Sequence, residues 1–197
     1  MECLMPRAKR KVPVPTEEEC FALIRETGMM NHIVDHSRQV CRVALFLAGS
    51  LIERGVVLDG DLVRAAALLH DITKTKSLHT GENHARTGAE LLKDRGYPEV
   101  GEIVGQHVTL SAYEDLRVPG EAEIVNYADK RVLHERITSL EERMTYILER
   151  YGRSPDDVQR IVDTREKTKI LEKCLFRYLP FTPDELTARM NGGVSPA

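Results

Sequence analysis

The stretch DLVRAAALLHDITK, Asp61 to Lys74, decides how this chain folds and where its chemistry sits. Apolar residues dominate it until they give way to an adjacent histidine and aspartate, His70-Asp71. A run this apolar predicts a central, mostly buried helix over Asp59 to Asp71. Adjacent helical positions project about 100° apart, so His70 and Asp71 can grasp one ion from neighbouring angles.

Helical spacing continues on both sides. Thr16-Glu17-Glu18-Glu19 is a capping-box start, with Thr16 as N-cap, and Gly28 ends that helix. From about Asn31 to Arg54, Ile33, Val40, Val43, Ala44, Leu47 and Leu51 share one face. Glu82 to Arg95 carries the stripe Ala85, Ala89 and Leu92 and is stopped by Gly96-Tyr97-Pro98. Pro98 then opens a short helix through His107. Thr109 to Gly120 reads as a loop and Glu121 to His134 as a further helix. Arg136 to Tyr151 and Pro155 to Tyr178 read as longer, more charged helices. In these, Ile161, Val162, Leu171, Leu175 and Tyr178 are expected to pack back on the core. Alternating strand-like runs are nearly absent. The fold class is all-α, a compact helical bundle with additional C-terminal helices.

The bulk properties narrow the field. A chain of 197 residues, 42% hydrophobic and 30% charged, has the composition of an ordinary globule with a sizeable core. A net charge of −3 gives no strong nucleic-acid signal and none for an anionic membrane. The basic cluster RAKRKVPVP, Arg7 to Pro15, falls in an expected mobile tail over residues 1–15. Residues 16–135 are the expected core and 136–197 the C-terminal helices. No apolar h-region marks a signal peptide, and no stretch approaches the ~20 residues of a membrane span. Cys3, Cys20, Cys41 and Cys174 are scattered without a CxxC pair, which excludes a zinc-thiolate site and suits a reducing compartment. The expected location is cytoplasmic.

Polar residues on the apolar faces carry the functional signal. His36 lies four residues before Val40 and seven before Val43, so it points inward with that stripe. His107 follows Val104 and Ile103 by three and four residues, and Asp129 follows Val125 by four. Burying an unpaired aspartate costs several kcal/mol, so an inward Asp129 needs a partner. One histidine on an apolar face is more often a hydrogen-bonded core residue than a ligand, and one inward aspartate often bridges helices. Three such placements beside a contiguous His-Asp favour a metal site. Imidazoles and carboxylates without thiolates suit manganese, magnesium, iron, cobalt, nickel or zinc. Asp71 has two oxygens and can bridge a second ion roughly 3.5 to 4 Å away. Two ions with His84 and His107 added leave the cluster at about +2, which favours an anionic ligand such as phosphate.

The words HSRQV around His36, LLHDITK around His70, HARTGAELL after His84 and YADKRV around Asp129 resemble the HD-domain superfamily of metal-dependent phosphohydrolases. The resemblance covers about Asn31 to Arg131. It implies a helical bundle with metal at its centre and His36, His70, Asp71 and Asp129 as primary ligands. It further implies His84 and His107 as the extra ligands of dinuclear members. Lys74 matches a lysine that reaches toward substrate phosphate or the bridging water, and surface solubility is its ordinary role. Thr73 stands where many relatives have glycine. Gly96-Tyr97-Pro98 precedes His107 instead of following a His-His-Glu segment, so it is a helix stop. His32 is expected in a capping or surface role, and His79 and His134 on the solvent side. Lys130 or Arg131 can contact phosphate, with salt-bridge duty as the alternative.

The leading expectation is hydrolysis of a phosphoester or phosphoanhydride in a small nucleotide, with Asp71 and Lys74 as catalytic residues and metal-activated water as nucleophile. One rival is an HD-type diiron oxygenase. Another is a non-catalytic nucleotide-sensing module. A homodimer through the C-terminal helices is a further option. The pocket walls are expected from Thr75 to Gly81 and Thr109 to Gly120.

Overall fold

The helices begin where the sequence supplies caps, in a computed structural model that describes residues 12–111, 113 and 118–191. Thr16 caps α1 (Glu17–Glu26) with the full reciprocal box. Its hydroxyl accepts from the Glu19 amide at 3.2 Å, and the Glu19 carboxylate accepts from the Thr16 amide at 2.7 Å. Gly28, at φ +65°, reverses the chain into α2 (Asn31–Ile52). Asp59 caps α3 (Gly60–Leu69) by accepting from the Asp61 and Leu62 amides. Val63, Ala65, Ala66, Ala67, Leu68 and Leu69 of α3 are all buried, and α2 packs extensively along it. The alanines leave room for that approach at the centre of the core.

Four short helices complete the body: α4 (Lys74–Thr80), α5 (His84–Asp94), α6 (Pro98–Gly105) and α7 (Glu121–Asp129). α5 lies along α6, and α7 lies against α2. A two-stranded antiparallel hairpin follows, β1 (Val132–Leu133) with β2 (Arg136–Ile137), pairing Val132 with Ile137 and Leu133 with Arg136. The chain ends in α8 (Leu140–Tyr151), α9 (Pro155–Phe176) and α10 (Glu185–Asn191). Among the described residues the fold is all-α apart from this hairpin.

Three elements differ from the sequence reading. The helix expected over Glu121 to His134 stops at Asp129, because Arg131 is captured by Thr138 across the hairpin. The Thr138 amide donates to the Arg131 carbonyl at 2.8 Å, and Arg131 Nε donates to the Thr138 carbonyl at 2.7 Å. α3 ends at Leu69, so His70-Asp71 lies in the hydrogen-bonded turns that follow, in place of the helix interior. The segment from Thr75 belongs to α4, and the Met30 amide at the start of α2 donates to Thr75 Oγ1 at 3.0 Å.

The C-terminal helices join the core through Leu171, Leu175, Leu179, Phe181 and Leu186. The first half of α9 stands off, with Val158 and Val162 exposed, and Ile161 and Tyr178 are only half-buried. Cys20, Cys41 and Cys174 are buried, and Cys20 and Cys41 are free thiols. Among the described residues no helix is long and apolar enough to cross a membrane. Cys3, most of the basic tail and part of the Thr109 to Gly120 loop lie outside the described residues.

Candidate metal centre

Three helices and two turn segments deliver the six expected donors to one place. His36 comes from the buried face of α2, His70 and Asp71 from the turn after α3, and His84 from the first position of α5. His107 comes from just beyond α6 and Asp129 from the end of α7. His70 and Asp71 are 0% and 1% exposed and His107 2%, so water does not solvate these groups. His36 and Asp129 are also buried, and His84 is half-buried.

The backbone fixes which ring nitrogen faces the centre. His36 Nδ1 pairs with the His134 carbonyl at 2.9 Å, His70 Nδ1 with Ala67 at 2.8 Å, and His107 Nδ1 with Val104 at 2.7 Å. A carbonyl only accepts, so each Nδ1 donates to it, and in the neutral ring Nε2 is the atom whose lone pair faces the centre. Those lone pairs face carboxylates. His36 Nε2 is 3.1 Å from Asp129 Oδ1, and His70 Nε2 is 3.3 Å from Asp71 Oδ2 and 3.8 Å from Asp129 Oδ1. On the other side, His84 Nε2 and His107 Nε2 are 3.3 and 3.5 Å from Asp71 Oδ1 and 3.2 Å from each other.

Asp71 therefore stands between two donor groups, His36-His70-Asp71 and Asp71-His84-His107. Buried His70 Nε2 and Asp71 Oδ1 have no hydrogen-bond partner among the described residues, although nitrogen and oxygen approach closely. Lone pairs converging in a dry interior repel unless a cation stands among them. Adjacent ligands of an octahedral ion at about 2.1 Å lie about 3 Å apart, close to the observed spacings. The residues fit one or two divalent ions, and the donor chemistry is that of hard or intermediate metals.

Electrostatics agree. Burial pushes the Asp71 carboxyl up, but His70, Lys74 and His107 outweigh it and hold it well below the usual carboxylate range. Burial likewise opposes Asp129, yet Lys130, His36, Arg143 and His70 keep it ionised. Burial drives His107 down to about 4, against the pull of Asp71, so its imidazole is neutral and available as a ligand.

The expected phosphate contacts divide. Lys74 Nζ lies 2.7 Å from Asp71 Oδ2 with its side chain 30% exposed, so it faces both the centre and solvent. Lys130 is buried, and its ammonium donates to the His107 carbonyl at 2.5 Å and to Asp129 Oδ2 at 3.1 Å. Arg131 is 2% exposed and spends its donors on Thr138, Tyr127 and Pro183. Lys130 and Arg131 both make framework contacts.

Several contributors escaped the sequence reading. Asn126 Nδ2 donates to the Gln106 and His107 carbonyls, both at 2.9 Å, and steadies the His107 turn. Thr73 Oγ1 donates to the His84 carbonyl at 2.8 Å. Arg143 of α8 reaches to 3.7 Å from Asp129 Oδ1. Asn126 sits in the same NYADKRV word as Asp129, three residues before it on the same helical face, which was a usable signal; the other two carried none. His134 has an exposed side chain, as expected, but contributes its backbone oxygen, and His32 is exposed.

A family model described as HD domain matches residues 33–163, through α8 and into α9 and so beyond Arg131. The chain is similar to a tRNA (cytidine(56)-2'-O)-methyltransferase of Picrophilus torridus, 31% identical over 144 residues, covering 66% of this chain and 40% of that protein. It is also similar to an uncharacterized protein of Methanocaldococcus jannaschii, 26% identical over 158 residues, covering 74% of this chain and 92% of that one. Ribonuclease Y of Aquifex aeolicus is 36% identical over 73 residues, covering 37% of this chain and 12% of the enzyme. The matched region thus spans less than half of the methyltransferase and a small part of the ribonuclease. No solved structure matches.

Proposed function

The chain belongs to the HD-domain family, and on that premise we propose that it is a metal-dependent phosphohydrolase cleaving a phosphoester or phosphoanhydride bond in a nucleotide-type substrate. The observation that carries this reading is Asp71, buried and shared by two histidine groups, with Oδ1 unpartnered among the described residues. His36, His70, Asp71 and Asp129 would hold one ion, and Asp71, His84 and His107 a second. Bound divalent ions supply Lewis acidity, which lowers the pKa of water toward neutrality and offsets charge on phosphate oxygens.

The chain's own residues do the positioning. Carbonyl-bound Nδ1 groups lock the rings of His36, His70 and His107, so no reorganisation accompanies the reaction. Asp71 orients the attacking water, and Lys74 steadies a phosphate oxygen at the open side. Burial of the donor set excludes bulk water and strengthens each of these interactions.

Metal analysis of the purified chain, followed by a phosphate-release screen, tests this. The screen includes dinucleoside polyphosphates, nucleoside monophosphates and cyclic nucleotides. RNA oligonucleotides belong in it because relatives are named a ribonuclease and a tRNA methyltransferase. The expected outcome is bound divalent metal and turnover of one class, with Asp71→Ala losing both. Full turnover by metal-free Asp71→Ala would refute the mechanism. Bound iron with dioxygen consumption and no phosphate release would replace it with the diiron oxygenase reading.

A further inference from the structure

Arg143 occupies the first part of α8, where a cation opposes the helix macrodipole. Its side chain is only 12% exposed, yet its guanidinium makes no hydrogen bond to any described residue, and Nε is buried without a partner. The neighbours it does have are Asp129, with Nη2 at 3.7 Å from Oδ1, and the Tyr146 ring, 5.9 Å below Cζ. Arginine carries five N–H donors and no acceptor, so a largely buried guanidinium whose Nε–H has no partner among the described residues keeps donors for an acceptor-rich ligand.

Asp129 is not that partner. Its oxygens already meet His36 Nε2 and Lys130 Nζ, both at 3.1 Å, and 3.7 Å exceeds hydrogen-bond length. Arg131 shows what a framework arginine looks like in this protein: Nε and both terminal nitrogens are bonded. Arg143 is the opposite case: it approaches the metal centre beside Asp129 and makes no hydrogen bond to a described residue.

We infer that Arg143 is a substrate-binding residue that grips the phosphoryl group on the Asp129 side of the centre, while Lys74 serves the Asp71 side. This rests on the phosphohydrolase reading and narrows its substrate. Two divalent ions and two carboxylates leave about +2, to which Lys74 and Arg143 add. That surplus, with a planar fork that takes two oxygens at once, suits a terminal phosphate bearing two negative charges better than a singly charged internal diester. The favoured class is a nucleoside monophosphate or the terminal phosphate of a polyphosphate chain.

Inorganic phosphate is the probe. Its affinity for the full manganese-loaded chain is measured by titration calorimetry, with metal content and melting temperature recorded alongside. Arg143→Met should weaken phosphate binding by about 10–100-fold, the size expected for losing a charge-assisted bond, with metal content and melting temperature unchanged. Arg143→Lys, which keeps the charge without the fork, should recover part of the loss. Wild-type affinity in Arg143→Met overturns the role of Arg143 and leaves the phosphohydrolase reading standing. Loss of metal or of folding in both variants assigns Arg143 to holding Asp129 and equally overturns it. A metal-loaded wild type with no phosphate affinity overturns both readings.

Discussion

His134 sits at φ +56° at the tip of the hairpin, and its backbone oxygen reaches His36 Nδ1 at 2.9 Å. The left-handed conformation costs a non-glycine residue about 1–2 kcal/mol, so the hairpin holds this residue against its preference. What the centre needs there is a carbonyl, not an imidazole. His134→Gly should therefore keep metal affinity and leave stability unchanged or raised by up to about 1 kcal/mol. His134→Val should lose about 1–2 kcal/mol in urea denaturation and about 10–100-fold in metal affinity by titration. Equal metal affinity in both variants would show that the carbonyl does not orient His36. Such a group was invisible in the sequence because every residue has a carbonyl. The donor side chains were legible because inward histidines and aspartates break an apolar stripe. For Lys130 and Arg131, adjacency to Asp129 does not reveal that their donors are spent on the framework.

The helices α1, α2, α5 and α6 were legible from apolar spacing, caps and stops, since those helices bury one face against the core. The end of α7 was not, because the Arg131–Thr138 pairing that turns the chain there is a tertiary contact. Small residues at the α5–α6 seam set the distance between the second pair of histidines. A Cβ on Gly101 would stand 2.7 Å from the Ala89 carbonyl, closer than real contacts allow. α5 begins with His84 and α6 leads into His107, so forcing the helices apart separates those two rings. Gly101→Ala should cost about 1–3 kcal/mol by overpacking. In a metal titration it should weaken the Asp71-His84-His107 group while the His36-His70-Asp71 group keeps its affinity. Equal weakening of both groups would contradict this division.

Across the whole molecule, one buried arginine joins segments far apart in the chain. Arg131 bonds the Tyr127 hydroxyl of α7 at 2.6 Å, the Thr138 carbonyl after the hairpin at 2.7 Å and the Pro183 carbonyl before α10 at 2.9 Å. Glu172 of α9 approaches it at 3.8 Å and accepts from the Tyr127 hydroxyl at 2.5 Å. Removing the guanidinium strands a buried acceptor set, so Arg131→Met should destabilise the fold by about 3–5 kcal/mol in urea denaturation. A loss under about 1 kcal/mol would show that the C-terminal helices dock without it. The same framework brings six donors from distant segments to a common point around Asp71. The most direct test is anomalous diffraction from crystals of the full chain soaked in manganese. Anomalous peaks flanking Asp71, one beside His36 and His70 and one beside His84 and His107, are the expected result. A well-ordered, manganese-saturated crystal with no peak within bonding distance of Asp71 would contradict it.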